Sequence, residues 1–215
     1  FWELETAYAT IEVLKPTASR ELTLTNPSNS QSGIDAGSIT MWWKPPSPYP
    51  NSQTGYPNSQ AGIITYQIHR NEIFIDTWDE SVASENIYIY YTDTSVVPNR
   101  DYNYEILAEN EVGVSDDFSN DTSGVSIPGT PIESGSIKGV NQITMNWSDP
   151  EPSGTAETIY YRIYRDNTSN ILSTGFTGQS FIDDSLLNTT DFAYYLQAFN
   201  ESGDSEISSQ IDLIT

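Results

Sequence analysis

The sequence contains no cysteine and a single histidine. The first absence excludes disulfides, thiol catalysis and cysteine-ligated zinc, yet leaves the compartment open, because many sandwich domains outside cells do without disulfides. The second leaves His69 alone between Ile68 and Arg70 on an expected strand. One imidazole makes neither a zinc centre nor a catalytic triad, so His69 reads as an exposed strand residue. Cations are scarce as well: 8 Lys and Arg stand against 30 Asp and Glu, for a net charge of -22. Such a surface repels phosphate backbones and anionic lipid, which argues against nucleic acid and membrane surfaces as partners. No apolar run approaches membrane-spanning length, so direct insertion is not expected. No Gly-rich phosphate loop follows a strand and opens a helix. Carboxylates are so numerous that some pair falls at glycosidase spacing by chance, and their abundance does not point to acid and base roles. The expectation is a protein that is not an enzyme and holds no cofactor.

What the chain does have is aromatic residues, 12% of it, with 14 Tyr and 5 Trp, which favours strands and folded cores. It also has an internal repeat. Residues 91 to 116, YTDTSVVPNRDYNYEILAENEVGVSD, align without a gap on residues 181 to 206, FIDDSLLNTTDFAYYLQAFNESGDSE. A period of this length suits a whole small domain rather than a solenoid unit, so two tandem domains of one type follow.

Along the chain, Tyr8 to Leu14 alternates loosely and Pro16 ends it, which suits a strand. Residues 1–20 are expected to be an N-terminal strand segment, either the end of a preceding domain or an added edge strand. A chain opening at Phe1 fits a piece of something longer. The first domain is placed at 21–128 and the second at 129–215. Ile39, Met41 and Trp43 alternate onto one face before Pro45 and Pro46, and Ile143, Met145 and Trp147 repeat the pattern before Pro150. Trp43 and Trp147 are core residues on this pattern. Trp42, next in line, should face out. The loop 44–61 is about nine residues longer than its counterpart, and long loops are more often functional or mobile than accidental. Tyr49 and Tyr56 within it are candidate contact residues, together with Trp42 and Trp78. Tyr66 and Ile68 match Tyr161 and Ile163 as inward positions, with Arg70 and Arg165 assigned outward. The strands EIFIDTW and SNILSTG come next. Tyr102, Tyr104, Ile106 and Ala108 then share one face, as do Phe192, Tyr194, Leu196 and Ala198. SIPGTP, 126–131, is a short Pro and Gly linker.

Clustered carboxylates offer hard oxygen ligands, and Asp116, Asp117 and Asp121, or Asp183 and Asp184, are the candidates for calcium. None has EF-hand spacing, and a solvated acidic surface accounts for them without a metal. Five Asn-x-Ser/Thr sequons stand at Asn120, Asn146, Asn167, Asn188 and Asn200. The 16 asparagines would give roughly four by chance, so these are N-glycosylation candidates with slight enrichment.

Trp43 before a proline pair, Tyr66 on the next strand, and Val96-x-Pro98-x-x-x-Tyr102 leading to Ala108, Asn110, Gly113 and Ser115 resemble the fibronectin type III family. The second copy repeats the pattern with Trp147, Tyr161, Leu186, Phe192, Ala198, Asn200, Gly203 and Ser205, so the resemblance spans about residues 21 to 215. It implies an all-β chain of two tandem immunoglobulin-like sandwiches, seven strands each, usually without cysteine. The family's tyrosine corner maps onto Tyr102. In the second copy Phe192 keeps the ring and loses the hydroxyl, which predicts a turn at Leu187 to Thr190 less firmly fixed by roughly 1 kcal/mol. No Arg-Gly-Asp occurs, so integrin adhesion of the kind some members show has no support.

The functional expectation is a non-catalytic tandem module of a larger secreted or cell-surface protein, serving as spacer and as a protein interaction or assembly element. Its partners would be other proteins or neighbouring copies, met through end loops or a sheet edge. The alternative is an accessory or carbohydrate-binding module of a secreted carbohydrate-active enzyme, with Trp42, Trp78 and the loop tyrosines as glycan-stacking platforms.

Overall fold

A computed structural model describes residues 15–25, 27–46, 64–79, 86–150, 152–184, 186–187 and 190–214. The expected strand at Tyr8 to Leu14, Tyr49 and Tyr56 of the long loop, and Asn188 lie outside the described residues. Those described contain strands and turns and no helix. The first half carries β1 (Arg20–Thr23), β2 (Ile39–Lys44), β3 (Thr65–Arg70), β4 (Ile73–Asp79), β5 (Ile89–Asp93), β6 (Asp101–Asn110), β7 (Gly113–Val114) and β8 (Thr122–Val125). One sheet runs β1-β2-β5; the other runs β4-β3-β6, with β7 and β8 both on β6.

The second half carries β9 (Ile132–Glu133), β10 (Ile137–Gly139), β11 (Gln142–Ser148), β12 (Tyr160–Arg165), β13 (Ile171–Phe176), β14 (Ser180–Asp184), β15 (Asp191–Asn200), β16 (Gly203–Asp204) and β17 (Ile211–Ile214). Its sheets are β10-β11-β14 with β9 on β11, and β13-β12-β15 with β16 and β17 on β15. Counting each interrupted strand once gives seven positions per half, the architecture that the resemblance implies.

Alternation decides which side chains go inside. Ile39, Met41 and Trp43 on β2 are fully buried, and Ile143, Met145 and Trp147 on β11 repeat them. On the facing sheets, Tyr104, Ile106 and Ala108 match Tyr194, Leu196 and Ala198, all at 0% exposure. The same aromatic pair joins the two sheets in each half. Trp43 meets Tyr66 edge to face at 5.3 Å, and Trp147 meets Tyr161 at 5.2 Å. Such pairs add about 0.5–1.5 kcal/mol beyond the area they bury.

The repeated Asn, Gly and Ser close the sandwich edge. The Asn110 side chain accepts from the backbone N–H groups of Val112 and Gly113, and Asn200 accepts from Ser202 and Gly203. Gly113 takes φ 147°, where a β-carbon would be strained. Past each turn a serine hydroxyl replaces a missing ladder partner: Ser115 accepts from Ala108 N–H, and Ser205 from Ala198 N–H.

One expectation needs correction. Arg165 does not face outward: it alternates onto the face of Tyr161 and Ile163, and its guanidinium reaches the buried Asp183 at 2.9 Å. Within the expected linker, Ser126, Ile127, Pro128 and Gly129 are buried.

Candidate functional site

The outward face of the β1-β2-β5 sheet concentrates side chains that the core does not use. Thr40 on β2 and Thr92 on β5 touch through their hydroxyls at 2.9 Å, and Lys44 on β2 lies 4.9 Å above the Tyr88 ring just before β5. The two contacts fix an antiparallel register in which Trp42 stands opposite Tyr90. The second half gives the same register directly, with Thr144 opposite Ile182 and Asn146 opposite Ser180. Tyr90 is 54% exposed, and Trp42 and Tyr88 are half-buried.

β1 adds the polar part. Arg20 pairs with Lys44 and Thr23 with Trp42, so one strand holds an extra residue between them and forms a bulge. Within it Glu21 sits at φ 57°, unusual for a residue with a β-carbon. Its carboxylate accepts from Lys44 Nζ at 2.9 Å and from the Tyr88 hydroxyl. These bonds, led by the one from Lys44, hold the Glu21 carboxyl below its ordinary range and raise the Lys44 ammonium and the Tyr88 phenol. The arrangement offers two aromatic surfaces beside a matched anion and cation.

The remaining sequence candidates are dispersed. Trp78 meets Tyr91 edge to face at 5.6 Å and is half-buried. Asp116 is exposed and paired with Lys15 at 3.0 Å, while Asp117 and Asp121 are exposed. Asp183 is 8% exposed, and its carboxylate is taken by Arg165 and by the Tyr194 hydroxyl at 2.8 Å. Burial, and after it that bond, pushes the Tyr194 phenol up. Asp184 is exposed. Among the described residues no three His, Asp or Glu side chains are grouped to hold a metal ion.

Among the sequons, Asn167 is exposed and its side chain accepts from Ser169 N–H, whereas Asn120 binds both backbone groups of Leu22. Asn146 donates to the Gly135 carbonyl. Asn200 is 6% exposed and spends its Nδ2 on Asn99 and on the Ser126 carbonyl.

His69 is not a free strand residue. Its ring lies between Phe74 at 5.8 Å and Phe118 at 5.1 Å, and desolvation lowers its pKa. The bulge that brings Glu21 into the aromatic face, and Tyr88 and Tyr90 as members of it, were missed from the sequence. The alternation of Tyr88 and Tyr90 was a signal for the second; Glu21 gave none.

No family model matches the chain. The structures it is similar to are fibronectin type III domains, tandem pairs among them. A two-domain segment of chicken tenascin is 14% identical, with 94% of this chain and 99% of that one covered and a TM-score of 0.46. The FN1–FN3 domains of chicken CNTN1 are 14% identical over 92% of this chain and 66% of that one, with a TM-score of 0.41. The domain of human fibronectin type III domain containing protein 3 is 21% identical over 43% of this chain and 89% of that one, with a TM-score of 0.38.

Proposed function

We infer that this chain is a non-catalytic tandem module of a larger secreted or cell-surface protein, working as a spacer and as a protein interaction or assembly element. The observation that carries this reading is how the repeated residues are used. Trp43 and Trp147, Tyr66 and Tyr161, Asn110 and Asn200, Ser115 and Ser205 all serve cores and turns. What the two halves share is therefore scaffold, and what distinguishes them lies on outward faces. A scaffold used twice with different surfaces suits a protein that holds and presents rather than one that transforms.

The test is affinity capture on the immobilised chain from the extracellular fraction of its source, with labelling of intact cells by an antibody to the chain. A captured protein partner, or further copies of the parent protein, together with surface labelling is the expected outcome. Labelling confined to permeabilised cells removes the surface assignment. Turnover of a substrate that depends on a particular carboxylate removes the non-catalytic one.

A further inference from the structure

We propose that the outward face of the β1-β2-β5 sheet binds a saccharide, with a pyranose ring laid across Trp42 and Tyr90 and its hydroxyls taken by Glu21 and Lys44. Three observations carry this beyond the scaffold role. The first is the register: Thr40 meets Thr92 and Lys44 meets Tyr88, so Trp42 and Tyr90 are cross-strand neighbours on one face. Directly opposed residues of an antiparallel pair have β-carbons about 4.5–5.5 Å apart, which puts both side chains within reach of one ring-sized ligand.

The second is the internal control that the repeat supplies. The matching positions of the second half are Asn146 and Ser180, paired in the same register. The fold therefore closes without aromatic residues here, and Trp42 and Tyr90 are not demanded by the sandwich. Tyr90, at 54% exposure, contributes little to any core.

The third is the polar composition beside the rings. Glu21 is brought there by a bulge with positive φ and is held by Lys44 and Tyr88. Backbone strain at an exposed, non-glycine position that places a charged group beside open aromatic rings is the kind associated with ligand contact. Charge then selects the occupant. The chain carries -22 overall, yet this face holds Arg20 and Lys44 with Glu21. A polyanion would be repelled by the net charge of the chain, and an apolar partner would have to strip water from the Lys44–Glu21 pair without replacing it. A neutral sugar satisfies both parts: its C–H face stacks on rings, and its hydroxyls donate to a carboxylate and accept from an ammonium.

The experiment uses the whole chain in depletion assays on cellulose, chitin, starch, xylan and mannan, and on a printed array of neutral glycans. Retention by at least one of these is expected. Tyr90→Ala and Trp42→Ala should each weaken it about tenfold, as the loss of one stacking ring does. Glu21→Gln should weaken it several-fold, and Asn146→Ala, on the matching face of the second half, should leave it unchanged. Thermal melting separates lost contact from lost fold, and Tyr90→Ala keeps the test decisive if Trp42→Ala unfolds. No retention by any of these probes, or retention that Tyr90→Ala leaves within twofold, overturns the proposal. Neither result bears on protein capture, so this face and the scaffold role fail separately.

Discussion

Tyr102 and Phe192 hold the same place in the repeat and make different contacts. The Tyr102 hydroxyl accepts from the Val97 backbone N–H at 2.6 Å and so ties β6 to the turn before it. Phe192 has no hydroxyl; its ring lies 5.6 Å from the Arg165 guanidinium, which together with the Tyr194 hydroxyl takes the Asp183 carboxylate. The two variants should therefore differ. Tyr102→Phe removes one hydrogen bond whose donor can still reach water, costing about 1 kcal/mol. Asp183→Asn leaves the partly buried Arg165 guanidinium with only the Asp166 carboxylate, 3.9 Å away, and should cost about 2 kcal/mol, below the about 3–5 of a fully buried pair because Arg165 keeps part of its hydration. Urea unfolding of the two single variants checks the order, and an Asp183→Asn loss smaller than that of Tyr102→Phe would refute this account.

Alkali tests two of the buried phenols, Tyr161 and Tyr194. Burial, the largest cause, lifts the Tyr161 phenol from 10.0 to about 12, with the Asp149 carboxylate adding to it. Tyr194 shifts the same way, through burial and Asp183. The fold thus holds these protons more tightly than the unfolded chain does. Their stabilising contribution is whole below pH 10 and is lost as the pH climbs towards about 12. Tyrosinate absorbance should show a late-titrating fraction that disappears in denaturant. Tyr161→Phe should reduce that fraction and flatten the loss of stability over the same range.

Strands show why so much of the fold was legible and where legibility stopped. A period of two is set by backbone geometry, so Ile39, Met41 and Trp43 could be placed inside from order alone. The Asn, Gly and Ser of each copy were readable as a turn because each has a backbone reason to be there. The candidate face was half legible. Trp42 follows from its neighbour Trp43, but its pairing with Tyr90 depends on a long-range register that periodicity does not encode, and the Glu21 bulge depends on where β1 loses step with β2. Arg165 was misplaced because a cation was assigned to solvent by its chemistry, whereas its phase on β12 puts it inside, where Asp183 receives it.

The same strands carry serines whose role is equally structural. β6 is bordered by β7 and then by β8, and between them Ser119 offers its hydroxyl to Ile106 N–H at 3.0 Å. Ser208 does this for Leu196 at 2.9 Å in the second half. Ser119→Ala or Ser208→Ala leaves a buried donor unpaired and should cost about 1–3 kcal/mol, against a few tenths for alanine at the exposed Ser32. Hydrogen exchange at Ile106 and Leu196 should rise correspondingly. Unchanged protection at both amides would show that another acceptor stands in for the hydroxyl.

For the molecule as a whole, charge is the property that no single contact explains. With 30 acidic residues against 8 basic ones, most carboxylates have no cation to meet, and the described ion pairs take up only a few of them. Like charges drawn together by folding repel one another, and the unfolded chain relieves that repulsion by spreading out. Salt reduces the penalty, since the screening length falls from about 30 Å at 0.01 M to about 8 Å at 0.15 M and about 3 Å at 1 M. Melting temperature should therefore rise between 0.01 M and 0.5 M sodium chloride, most steeply at the low end, with potassium chloride giving the same curve because screening does not distinguish the cation. The exposed Lys15–Asp116 pair would weaken over this range, but a surface pair contributes about 0–1 kcal/mol and opposes the trend only slightly. A melting temperature that falls with salt would mean that attractive pairs outweigh the summed repulsion. A rise seen only with calcium, absent with sodium at equal ionic strength, would replace screening by specific cation binding at the exposed aspartates.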